Sequence, residues 1–306
     1  MTETRFTLAH REDRLAWILG SSRSGSTWLL RMLSALDPVV PIDDPHLGHH
    51  LGVWRPIPLA WATAEEMPRL TTLWTVKRGK QGYFFSDRYR EQWAPALRDL
   101  VVTRFDAQVH DVAGETADPV VVVKEPGSHV ADLIFSLFPD SRLIFLVRDG
   151  RDVVDSWVDA YTRGSWALDE GAYPLAPEGR LDMVKWLSTV WTYRIAVVQA
   201  AYERRVGSAR VMLRYEDLLA DPPVHLGRVC DTLGIPAFEG RLAEIAEEHA
   251  YDAVSDHNKG EGKEVRAAKP GGWRANLTAE EQRAMLEIMG EKLTELRYIP
   301  GATVHA

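Results

Sequence analysis

Trp17-Ile18-Leu19-Gly20-Ser21-Ser22-Arg23-Ser24-Gly25-Ser26-Thr27-Trp28 carries a G-x-x-x-x-G-x-T frame. An apolar run at 15–19 precedes the glycines, and apolar Trp28, Leu29, Met32, Leu33 and Leu36 follow at helical spacing. That order predicts a strand, a glycine turn and a helix. The helix N-terminus then turns its open N–H groups and the positive end of its dipole toward an anion. The mononucleotide version of this loop needs Lys directly before the Thr, to reach the β- and γ-phosphates. Here Ser26 holds that position, and Arg23 is the cation of the loop. The loop is expected to hold an anion and is poorly equipped for Mg-ATP chemistry.

Three further apolar runs, at 120–123, 143–147 and 209–213, read as buried parallel strands. Helical patterns follow at 152–161 and at 224–233, the latter with Pro222-Pro223 in its first turn. A long helix at 181–205 sets Leu181, Val184, Leu187, Trp191, Ile195, Val198 and Tyr202 on one face. The alternation predicts an α/β fold of the P-loop nucleotide-binding type. A single domain over 1–306 holds a central parallel sheet flanked by helices, with ligands at the carboxyl ends of the strands.

Two segments interrupt the alternation. Residues 43–118 contain His46, His49, His50, Trp54, Trp61, Trp74, Tyr83, Phe84, Phe85 and Trp93. A helical and loop cap over an acceptor site is expected there, with some aromatic side chains lining a pocket for an apolar or aromatic alcohol. Residues 255–272, rich in Gly, Lys, Glu and Asn, are expected to form a mobile loop that closes over an anionic ligand.

Composition narrows the function. With 306 residues, 45% hydrophobic and 26% charged, the chain is an ordinary globular protein able to bury a full core. A net charge of −8 argues against a general nucleic-acid or anionic-membrane surface, so any anion site must be a local cluster. The one cysteine, Cys230, excludes an internal disulfide and a cysteine zinc site, and its apolar helical setting reads as packing. The histidines show no carboxylate at metal-site spacing, so no metal is expected. The N-terminal stretch is polar and no apolar run approaches a membrane span, so a cytoplasmic protein is expected. Oligomeric state stays open.

Arg148 leaves the 143–147 strand at its carboxyl end, and Ser156 lies eight residues on within the next helix. An arginine fork beside a hydroxyl is a receptor for a phosphate monoester. Together, the 23–27 loop and the Arg148…Ser156 pair resemble the two cofactor signatures of the sulfotransferases, which use 3′-phosphoadenosine 5′-phosphosulfate (PAPS). The resemblance implies that Arg23, Ser24, Gly25, Ser26, Thr27 and Trp28 grip the 5′-phosphosulfate, and that Arg148 and Ser156 hold the 3′-phosphate. A third family signature, a basic residue followed by G-x-W, has its counterpart in Arg266…Lys269-Pro270-Gly271-Gly272-Trp273. By the resemblance Arg266 and backbone near it, with Gly271, close over the 3′-phosphate, and Lys269 supplements them. Tyr215-Glu216-Asp217-Leu218 matches the family's Y-E-D-L, whose Tyr lies near the adenine. The four occur in family order from residue 17 to residue 276.

Departures from the pattern locate the chain within the family. Arg23 stands where the cytosolic small-molecule branch has Lys, as in carbohydrate and several bacterial branches. Ala267-Ala268 replace the usual Lys-Gly after the third signature's Arg. Lys124, at the end of a buried strand, matches a Lys that assists transfer, but Pro126 occupies the place of that branch's catalytic His. Another group must accept the acceptor's proton. The candidates are Asp44, where other branches carry a base, together with Glu125, His129 and His46.

The implied activity is sulfuryl transfer from PAPS to a hydroxyl of a small-molecule, lipid or carrier-bound acceptor, releasing adenosine 3′,5′-bisphosphate. This chemistry needs positioning and a few donors rather than a metal. A P-loop kinase or NTPase is the alternative within the fold, disfavoured by Ser26. A catalytically silent nucleotide-binding module is a third reading, disfavoured by Arg23, Lys124, Arg148 and Ser156.

Overall fold

The four apolar runs all form strands, and a fifth strand joins them. In the computed structural model, which describes residues 6–50, 78–113, 118–162, 164–169, 179–263 and 268–300, these are β1 (Leu15–Gly20), β2 (Val39–Asp43), β3 (Val120–Lys124), β4 (Arg142–Val147) and β5 (Arg210–Arg214). They make one parallel sheet in the order β2-β3-β1-β4-β5. The α/β fold read from the sequence is the fold observed.

Strand β2 escaped the sequence reading for a physical reason. Pro41 lacks an N–H and interrupts the run Val39-Val40-Pro41-Ile42-Asp43, and proline is tolerated in strands mainly at a sheet's edge. β2 is that edge strand, with Pro41 opposite Val122 of β3.

Side chains alternate across the sheet and build two apolar layers. Leu15, Trp17, Leu19, Val121, Val123, Leu143 and Phe145 face one layer. Ala16, Ile18, Val120, Val122, Ile144 and Leu146 face the other. The second layer is covered by α1 (Ser26–Ser34), which buries Leu29, Leu30, Met32 and Leu33. The first layer is covered by α2 (Arg90–Ala113), α3 (Ala131–Leu137), α4 (Gly150–Ala160) and α5 (Arg180–Arg204). Helices α6 (Tyr215–Ala220), α7 (Pro222–Leu233) and α8 (Glu239–Glu248) follow β5, and α9 (Ala279–Glu295) packs along α5. Cys230, in α7, is buried among apolar side chains, and that burial pushes its thiol up to about 11. Among the described residues no helix is long and apolar enough to cross a membrane.

Part of the 43–118 segment belongs to the sheet's own core. Its 24-residue helix α2 puts Leu97, Val101, Val102, Phe105 and Val109 there. Phe85 and Trp93 pack edge to face at 5.3 Å against that core, whereas Phe84 is 79% exposed. Trp54, Trp61 and Trp74 lie outside the described residues, as do Arg266 and part of the 255–272 loop.

Candidate functional site

The strand order creates the crevice. From β1 the chain runs outward to β2 and returns through β3, then crosses to β4 and β5 on the other side. The loops after β1 and β4 therefore diverge at the carboxyl edge, the topological switch point where open α/β sheets bind ligands. Arg23 follows β1, and Arg148 follows β4.

The first loop is shaped by two left-handed residues, Arg23 (φ 67°) and Gly25 (φ 85°). Gly25 precedes α1, and no side chain caps that helix, so its first-turn N–H groups remain available to an anion. A Cβ at position 25 would also meet the Tyr215 ring at 2.6 Å, so glycine is required on two counts. The Tyr215 ring packs edge to face with Trp28, centroids 6.2 Å apart, and Trp28 Nε1 donates to the His249 carbonyl at 2.8 Å.

The predicted cation and hydroxyl groups converge. Arg23 Nε donates to Ser156 Oγ at 3.0 Å, and the Arg23 guanidinium lies over the Trp166 ring at 5.1 Å. Arg148 Nη1 donates to the Arg23 carbonyl at 2.9 Å, with its guanidinium 4.6 Å from the Tyr215 ring centroid. Arg23, Gly25, Ser26, Thr27 and Trp28 line one cleft of about 400 Å³ together with Arg148, Ser156, Tyr215 and Lys269. Two buried polar atoms beside it lack a hydrogen-bond partner, Arg148 Nε and Ser24 Oγ. Burial raises the Tyr215 phenol's pKa, so it stays protonated.

At the other end of the loop stands Lys124. Its buried ammonium donates to Thr27 Oγ1 at 2.8 Å and pairs with Asp43 and Asp44 at 2.7 and 2.8 Å. The Asp44 side chain is 41% exposed, on a residue held at φ 47°. His46 is exposed and His129 is buried. Glu125 makes its own set of hydrogen bonds. Its buried carboxylate accepts from the N–H groups of Leu47, Gly48 and Gly127 at 2.8, 3.3 and 2.6 Å. Desolvation outweighs these three donors and raises its pKa to about 7. Gly48 and Gly127 approach so closely that a Cβ on Gly48 would sit 2.2 Å from the Gly127 carbonyl oxygen. Glu125 thus braces the ends of β2 and β3 against each other.

A family model described as the sulfotransferase family matches residues 16–240. The chain belongs to the sulfotransferase family. Among curated proteins none matches the sequence. Among solved structures, mouse sulfotransferase SULT7A1 complexed with PAP is similar at 13% identity and a TM-score of 0.53, over 94% of this chain and 86% of that one. Sulfotransferase STF9 from Mycobacterium avium is similar at 18% identity and a TM-score of 0.52, over 94% and 78%. At these identities the likeness is one of fold.

Two buried carboxylates beside the cleft carry no distinctive signal of their own in the sequence. Asp152 and Asp155, one turn and one residue before Ser156 on α4, are almost fully buried. Asp152 accepts from the N–H groups of Gly271 and Trp273 at 2.8 and 3.5 Å, and Asp155 accepts from Asn276 Nδ2 at 3.0 Å. Gly271 reaches the cleft's surroundings through this contact. The G-x-W segment is thereby latched to the helix that presents Ser156. Their signal in the sequence was the D-x-x-D spacing on a helix also bearing Ser156, which reads equally well as a solvated face. Asp43, too, was passed over, since only the fold brings it to Lys124.

Proposed function

We propose that this sulfotransferase transfers the sulfuryl group of PAPS to the hydroxyl of a small-molecule, lipid or carrier-bound acceptor, releasing adenosine 3′,5′-bisphosphate. The carrying observation is that Arg23, Thr27, Arg148, Ser156 and Tyr215 line one cleft. A nucleotide phosphorylated at both ribose ends fits such a set. It offers an uncapped helix N-terminus at one end, two guanidiniums with a hydroxyl at the other, and aromatic rings between. The buried, unpartnered Arg148 Nε and Ser24 Oγ are donors for which a phosphate supplies acceptors.

PAPS supplies an activated sulfuryl group on a phosphate leaving group. The α1 N–H groups and Lys124, through Thr27, sit where charge on that phosphate is stabilised. The Arg23 side chain, turned onto Ser156, belongs with Arg148 at the 3′-phosphate end, while its backbone shapes the 5′ end. Asp44, exposed at the sheet edge and fixed by Lys124, accepts the acceptor's proton as its oxygen bonds to sulfur. Glu125 holds the β2 and β3 ends that present Asp44 and Lys124. Lys269, which lines the cleft, supplements the 3′-phosphate contacts, and residues 1–306 act as one catalytic domain.

Isothermal titration with adenosine 3′,5′-bisphosphate and with ATP tests the reading. The bisphosphate is expected to bind at least ten times more tightly without added metal. Equal affinity, or a preference for Mg-ATP, would sink it.

A further inference from the structure

The parallel ladder between β4 and β5 ends with Val147 opposite Arg214. Arg148 and Tyr215 stand one residue beyond it, facing each other across the cleft with the guanidinium 4.6 Å from the ring centroid. Past the ladder, main-chain pairing no longer sets the spacing of the two turns.

Glu216 joins them. Its Oε1 accepts from the Asp149 N–H at 3.0 Å, and that N–H lies on the peptide plane shared with the Arg148 carbonyl. Its Oε2 accepts from the Tyr298 phenol at 2.9 Å. Burial and the Glu216 charge push that phenol's pKa up, so it keeps the proton it donates.

Tyr298 is delivered by the way α9 ends. Arg297 is left-handed (φ 62°), and the N–H groups of Arg297 and Tyr298 donate back to the Thr294 and Leu293 carbonyls at 2.9 and 2.8 Å. Such a closing turn usually carries glycine. From it the Leu296 carbonyl accepts from Arg214 Nη1 at 3.0 Å, and the Tyr298 ring lies 4.1 Å from the Arg214 guanidinium. The Tyr298 carbonyl accepts from Arg151 Nη2 at 3.3 Å, and Arg151 pairs with Asp149 at 2.7 Å. The turn thus grips Arg214 and Glu216 on either side of Tyr215, and Arg151 just beyond Arg148. Glu216, Arg151 and Tyr298 are not among the residues lining the cleft. Hydrogen bonds to a carboxylate are among the stronger ones, and a misplacement of about 1 Å in a binding group is costly.

We infer that Glu216, held by Tyr298, is a positioning residue that sets Arg148 against Tyr215 and so fixes the receptor for the nucleotide's 3′-phosphate, with the turn after α9 as its clamp. The inference rests on the nucleotide reading above, and its test separates the two.

Wild type, Glu216→Ala, Glu216→Gln and Tyr298→Phe are titrated with adenosine 3′,5′-bisphosphate and with adenosine 5′-monophosphate, which differ by the 3′-phosphate alone. The wild-type preference for the bisphosphate should shrink by about tenfold or more in Glu216→Ala, and by less in Tyr298→Phe. Glu216→Gln should keep most of it, because its amide oxygen still accepts from Asp149. Arg148→Ala should lose the same preference, and adding Glu216→Ala to it should lower the preference no further. A role in stability alone would weaken both ligands alike; that outcome, or an additive loss in the double variant, would overturn the assignment. Should Glu216→Ala fail to fold, Tyr298→Phe decides by the same ratio, and an unchanged value overturns it. Amide exchange at Asp149 in ligand-free Tyr298→Phe should quicken, and unchanged exchange would count equally against the clamp. A wild type that binds both ligands alike would bring down the nucleotide reading and this assignment with it, whereas a preference retained in Glu216→Ala removes the assignment alone.

Discussion

Lys124 Nζ donates to Thr27 Oγ1 at 2.8 Å, joining the end of β3 to the first turn of α1. The ammonium that the loop lacks at Ser26 therefore arrives from a neighbouring strand. It comes already paired with Asp43, at the end of the next strand over, and with Asp44 just beyond it. A cation held this way is a compact point charge beside the loop, with a carboxylate at hand for a proton.

Asp44→Asn keeps the shape and removes the carboxylate proposed to accept the proton. Turnover is expected to fall by about 10²–10⁴-fold, the usual contribution of a positioned base. Affinity for adenosine 3′,5′-bisphosphate should stay within about twofold by titration calorimetry. Near-normal turnover would place the base elsewhere.

Arg148→Ala removes the guanidinium that lies over Tyr215 and holds the Arg23 carbonyl. A bisphosphate bound there should weaken by about 2–4 kcal/mol, because a partly buried charge partner is lost. The dissociation constant for the bisphosphate checks this, and an unchanged value removes Arg148 from the 3′-phosphate.

The Glu125 carboxyl, with its pKa raised to about 7 by desolvation, makes stability depend on pH. The native state holds this proton up to about pH 7, whereas the unfolded carboxyl releases it near its ordinary value of 4.5. Stability from this group is thus full below about 4.5 and is lost as pH rises toward 7, by about 3 kcal/mol in all. Urea unfolding at pH 5 and pH 8 should show that loss in the wild type and a smaller one in Glu125→Gln. Equal losses in both proteins would show that another group is responsible.

Asp152→Ala cuts the latch between α4 and the Gly271–Trp273 turn. Two N–H groups lose their acceptor, at about 1–3 kcal/mol each if they stay buried. Faster amide exchange at Gly271 and Trp273, with weaker bisphosphate binding, is the expected pair of results. Protection equal to wild type would mean that other contacts hold the segment.

Four of the five strands and the main helices were legible because burial imposes a local pattern. A parallel strand covered on both faces must be apolar throughout, and an amphipathic helix must repeat its apolar residues every three to four positions. The glycine frame at 20–25 was legible because Gly25 is left-handed at φ 85° and a Cβ at Gly20 would meet the Leu146 carbonyl oxygen at 2.0 Å. Which side chains meet is a different kind of information. Lys124 and Thr27, Arg23 and Ser156, or Asp152 and Gly271 stand 97, 133 and 119 residues apart. Their encounters depend on strand order and on which way each loop leaves the sheet. Local sequence also hid β2, because Pro41 disguises a strand that only an edge position permits. Glu125 shows the limit most plainly. Its identity marks it as an acid, but three backbone donors make it a brace and burial, against those donors, lifts its pKa to near neutrality; both exist only once β2 and β3 lie side by side.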